Sequence, residues 1–182
     1  MTTTPPPAVA WTQKLEGASA LDPVVSLVRP LVGKLVADPA RRDLLRGAWL
    51  GHAVHPPLTD VTLGFFTSAV TLDLVGGKAA RPAARRLIAL GLLAVGPTAW
   101  TGWAEWSTLE QRDQRVGVVH AVTNAAAAVG FFASWRARRR GEHLRGTAVA
   151  LASSGLAAAG GYLGGHLVAA RKVASHDPAF DA

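Results

Sequence analysis

Three stretches of this chain, Leu87 to Ala104, Val116 to Trp135 and Gly146 to Ala170, contain no Lys, Arg, Asp or Glu. At 1.5 Å of rise per residue each can cross, as a helix, a hydrocarbon core of roughly 30 Å, the first of them only just. A fourth stretch, Pro56 to Val75, joins them, because its two carboxylates, Asp60 and Asp73, lie near its ends, where water can be reached. Backbone groups in lipid must find their partners within the segment, so these runs specify helices. The expected fold is all-α, an integral membrane four-helix bundle.

The charge balance then selects a partner. Nineteen Lys and Arg against twelve Asp and Glu give a net charge of +7, which can serve nucleic acid or an anionic lipid surface. Here the basic residues stand between the apolar runs, so the partner expected is the lipid bilayer and not nucleic acid. The absence of cysteine excludes disulfides, thiolate metal sites and haem attachment through C-x-x-C-H. Neither a Gly-x-Ser-x-Gly elbow nor an HExxH helix is present, and the chain is not expected to act as an enzyme by itself.

Ahead of the spans, residues 1–21, with threonines and three consecutive prolines, read as a disordered leader without the basic and apolar regions of a signal peptide. Residues 22–50 read as short interfacial amphipathic helices. Pro30 is expected to break or kink the first. Asp38 is expected to cap the second ahead of Pro39, with that helix running to about Trp49 and placing Arg41, Arg42 and Arg46 among headgroups. Residues 51–173 form the four-span domain and 174–182 a tail. Lys78, Arg81, Arg85 and Arg86 load the first connection, and Arg136, Arg138, Arg139, Arg140 and Arg145 the third. Both connections are therefore expected in the cytoplasm, with both termini outside.

The chemistry-bearing residues gather at the other side. His52 and His55 stand at the entrance to span one, His120 four residues into span three, and His166 four residues before the end of span four. Asn124 shares a helix face with His120, and Tyr162 with His166, while Asp60 follows Pro57 in the first turn of its span. One reading is ligation of a single b-type haem or a transition metal. His120 and His166 would be the axial ligands, His52 or His55 a further ligand or proton carrier, and Asp60, Asn124 and Tyr162 supporting hydrogen-bond partners. Such a centre, near the outer face, would exchange electrons with a partner protein or a quinone. The other reading is a structural or accessory membrane protein without a cofactor, whose histidines hold helices together. Trp100, Trp103 and Trp106 read as an interfacial belt, and Pro97 as a kink. Gly160, Gly161, Gly164 and Gly165 read as two overlapping close-packing pairs. His143 and His176 stand apart, in a basic loop and the tail.

The segments GHAVHPPLTDVTLGFFTSAVTLDL, LGLLAVGPTAWTGWAEW, RVGVVHAVTN and GGYLGGHLV together resemble the bacterial membrane family catalogued as domain of unknown function 2231, over about Arg46 to Val173. The resemblance implies a four-span protein of the bacterial cell membrane and picks out His52, His55, Pro56, Asp60, His120 and His166. Some members of that family are joined at the C-terminus to a Rieske-type iron–sulfur domain. This chain, having no cysteine, cannot supply Rieske ligands. A redox role would need a bound cofactor, a separate protein such as a Rieske-type one, or both.

Overall fold

The structure, a computed structural model, describes residues 6–181; the expectations for residues 1–5 of the leader and residue 182 of the tail lie outside the described residues. Helix α1 (Pro7–Glu16) stands where the sequence suggests disorder. Pro7 sits at the helix start, where its missing N–H is no loss, and Thr12 is fully buried with its hydroxyl donating to Val9 O at 2.9 Å. What orders this polar segment lies far along the chain. The Glu16 carbonyl accepts from Arg115 Nη1 at 2.7 Å, the Glu16 carboxylate lies 2.8 Å from His166 Nε2, and Leu15 packs against Val116 and Leu163.

Helix α2 (Asp22–Leu35) runs through Pro30 as one element, so that of the expected break or kink the break does not occur. An interior proline costs about 3 kcal/mol or more; packing offsets it, because Val25 and Val32 are buried against Trp106 and Val118, and Arg29 Nε donates to Gln114 Oε1 at 2.9 Å. Helix α3 (Pro39–Arg46) begins as expected, with Asp38 Oδ1 accepting from Arg41 N at 2.7 Å. It ends sooner than Trp49 because Gly47 turns left-handed (φ 77°), and a Cβ there would collide with the His52 carbonyl. Together α1 to α3 cover one end of the bundle.

Their docking is expected to depend on pH. Asp22 accepts from Arg115 Nε at 2.7 Å and Nη2 at 2.9 Å, and this guanidinium holds the Asp22 carboxyl below its ordinary 3.8. A value depressed by folding stabilises the folded form above the unfolded value, and that contribution fades as pH falls through the folded one. Amide exchange in α1 and α2, corrected for its intrinsic pH dependence, is therefore expected to stay slow near pH 5 (on the order of neutral-pH protection) and to quicken below pH 3.8. Exchange that is flat across this window would mean that the pair does not hold the helices.

Helices α4 (His55–Val75), α5 (Arg81–Trp106), α6 (Gln111–Arg139) and α7 (His143–Gly165) are the bundle, and α7 continues into a π-helical turn, His166–Ala170. They run as two hairpins, α4 with α5 and α6 with α7. Apart from an isolated bridge between His52 and His176, no strand occurs among the described residues. The seam between the hairpins is filled by Phe66, Ile88, Phe131 and small residues, the two phenyl rings stacked with centroids 3.9 Å apart. Leu93, Val122 and Val129 stand outward and exposed, as lipid-facing positions do. By length and apolar content α4, α5 with its preceding turn, and α6 qualify as membrane-crossing. The expected fourth span, α7, is not among them, its mean hydropathy lowered by residues such as Ser153, Ser154 and Gly155. Small size serves packing here, since a Cβ on Gly130 of α6 would strike Ser153. Pro97 is accommodated inside an unbroken α5.

The histidines lie at the end covered by α1 to α3. At the opposite end Arg138 is the largest fully buried side chain, its Nη1 and Nη2 donating to the two carboxylate oxygens of Asp73 and its Nε to Ser134 Oγ at 3.1 Å.

Candidate two-histidine site

His55 opens α4 ahead of Pro56 and Pro57, whose missing N–H groups belong to a helix start. Its ring reaches across to α5, with Nδ1 2.9 Å from Thr98 O and 3.4 Å from Thr101 Oγ1. On the second hairpin the ring of His120 makes the matching contact, Nδ1 to Gly160 O of α7 at 2.8 Å. A carbonyl oxygen only accepts, so each neutral ring carries its proton on Nδ1 and leaves a lone pair on Nε2. The rings face each other across the seam, their centroids 6.3 Å apart and their planes at 82°.

Glycines make room for both. A Cβ on Gly102 would lie 2.8 Å from His55 Cε1, and one on Gly164 2.9 Å from His120 Cε1. Gly160 does the same for Asn124, whose Nδ2 donates to His120 O at 3.0 Å and lies 3.3 Å from both nitrogens of the His120 ring. That equal spacing puts the amide over the ring face and not along the Nε2 lone pair.

The expected pairing of His120 with His166 is replaced by His55 with His120. The reason is azimuth: Gly164 faces His120, and a residue two positions further on a helix is turned by roughly 200°. His166 accordingly meets Glu16 of α1, in a cluster where Arg171 Nε lies 2.8 Å from Asp113 Oδ1. His52 lies in the loop before α4, its Nδ1 3.1 Å from Ala53 O, and is bridged to His176 of the tail, which folds back so that Ser175 O accepts from Ala53 N at 2.7 Å. Asp60 is exposed, turned roughly 140° from His55 by five residues of helix. Tyr162, 42% exposed, looks outward as well. Among the described residues no group of three or more His, Cys, Asp or Glu comes together to hold a metal ion. The donor set is two imidazoles.

Thr98, Thr101, Gly102, Gly160 and Gly164 complete the site, and sequence reading passed over their part in it. The one available signal was spacing: Thr98 and Gly102, like Gly160 and Gly164, stand four apart on one helix face. A family model described as a predicted membrane protein (DUF2231) matches residues 51–177. No curated protein and no solved structure matches the chain.

Proposed function

The chain belongs to the predicted membrane protein family DUF2231, and from that premise we propose that it is a multi-pass redox protein of the bacterial cell membrane, holding one b-type haem iron between His55 and His120. The carrying observation is the pair of Nδ1–carbonyl hydrogen bonds. Metal-bound histidines characteristically donate their second ring N–H to a carbonyl or carboxylate, which fixes the tautomer and aims the other nitrogen. The two rings stand across the seam from each other with centroids 6.3 Å apart, near enough for both to be offered to one iron.

Haem iron suits this donor set better than a bare transition-metal ion. Haem would be held by His55 and His120 alone, whereas a bare ion would need further groups from the chain. Bound there, haem would supply one-electron chemistry; the chain's part is to fix both imidazoles through Thr98 and Gly160. One centre at one end cannot by itself span a core of ~30 Å, so its electron partner is a quinone or a separate Rieske-type protein at the histidine end. The arginine-bearing connections support an outside location for that end. A cysteine at Thr108 is expected to react with an impermeant reagent from outside and one at Arg140 from inside; labelling of both from one side would break this orientation.

Absorption spectroscopy of detergent-purified protein from haem-replete cells tests the proposal. His55→Ala and His120→Ala are each expected to abolish the Soret band, and His166→Ala to leave it. The close seating of both rings on glycine favours a second reading, in which they serve helix packing alone. Absence of haem and metal from the parent protein, with both single variants folding normally, would establish that reading instead.

A further inference from the structure

Three contacts across the seam share one register. His55 faces His120, Phe66 stacks on Phe131 and Asp73 pairs with Arg138; in each pair the second residue stands 65 positions after the first. The returning helices keep a register of 62: the carbonyls that accept from the histidines are Thr98 and Gly160, and the glycines beneath the rings are Gly102 and Gly164. The first hairpin's longer turn, which includes the three-residue segment Lys78–Ala80, accounts for the difference. Ile88 and Ala150, also 62 apart, are both fully buried. In a twofold interface a residue at a general position meets a different residue, and only a residue on the axis meets its own counterpart. All three pairs are therefore on one axis, and because α4 and α6 run the same way it stands along the membrane normal. Eighteen residues of helix separate the histidine layer from the ionic layer, about 27 Å.

We propose that the membrane domain is a tandem repeat of one helical hairpin, paired about this pseudo-twofold axis, and that the face each hairpin turns to the axis is an interface for the other, unlike repeat. The ionic layer commits the halves to each other. Pairing of two like hairpins would set carboxylate on carboxylate or guanidinium on guanidinium in a low-dielectric interior, whereas the unlike pair sets Asp73 on Arg138. This inference stands whether or not the histidines hold an ion.

Exchanging the ionic layer tests it, because equivalent surroundings tolerate an exchange that unequal ones do not. Arg138 is accommodated by Ser134, which accepts from its Nε, and by Gly146, where a Cβ would strike its side chain. Their counterparts by the same registers are Ala69 and Ala84, both fully buried. The full-length variant Ala69→Ser, Asp73→Arg, Ala84→Gly, Ser134→Ala, Arg138→Asp, Gly146→Ala is expected to melt within a few degrees of the parent in detergent, while Asp73→Arg alone loses the folded monomer. A sixfold variant that melts no higher than Asp73→Arg overturns the proposal. Milder substitutions give a second measurement in this cysteine-free chain. Thr62→Cys with Ala127→Cys, in register and both buried, is expected to cross-link within one chain on oxidation, and Thr62→Cys with Ser134→Cys is not. Equal or greater yield from the out-of-register pair also overturns it.

Discussion

Arg138→Ala is expected to destabilise the protein by about 3–5 kcal/mol, because it removes one partner of a buried ion pair and leaves the other charge without compensation. For a chain of this size that is a fall in Tm on the order of 10 °C. Arg138 is 2% exposed and binds Asp73 through both terminal nitrogens, with Ser134 satisfying the third donor. Asp73→Ala is expected to cost a similar amount, since it strands the guanidinium in the same place. The double variant Asp73→Leu, Arg138→Met is expected to recover most of the loss, because no charge is then left to desolvate. A scan of the four proteins decides the matter. Equal losses in the single and double variants would mean that side-chain volume, and not charge, is what the layer requires.

Gly164→Leu is the second large effect. Its Cβ alone would press within 2.9 Å of His120 Cε1 and 3.3 Å of Nδ1, and the ring cannot swing aside without breaking its bond to Gly160 O. Overpacking of this kind costs about 1–3 kcal/mol, occasionally more, and here it also displaces His120 from His55. Gly161→Leu is the control. Nothing lies within 4 Å of a Cβ at that position, so the change is expected to stay within about 0.5 kcal/mol. Thermal melting and, in haem-loaded protein, the Soret band should both separate the two variants; equal melting temperatures would mean that α7 does not approach α6 as described. Of the two overlapping glycine pairs, one, Gly160 with Gly164, seats the site, and the other, Gly161 with Gly165, faces open space.

The same glycines show where sequence reading stopped. Uncharged length determines that the apolar segments are helices and toward which end each residue falls, so the bundle and the gathering of His55, His120 and His166 toward one end were legible. Rotation about the helix axis was not. Azimuth separates His120's true neighbour from His166, and with near-uniform apolarity around α6 and α7 no periodic pattern marks the inner face. Helix α1 was hidden for a different reason: it is ordered by Arg115 and His166, 99 and 150 residues away from Glu16. The repeat was hidden because one of its three axis pairs, Asp73 with Arg138, matches opposite charges, its hydrogen-bonding counterparts are a threonine and a glycine, and the registers of the outgoing and returning helices differ, so that identity is left at only a few scattered positions.

The ionic layer also sets an order of events during synthesis. Asp73 leaves the ribosome 65 residues before Arg138, and at about 5–20 residues per second its partner follows roughly 3–13 s later. Through that interval Asp73 is without the partner it has in the folded bundle, and the basic residues nearest to it are those of its own connection, Lys78, Arg81, Arg85 and Arg86. The ion pair that closes this end of the bundle therefore forms only once the second hairpin has been made.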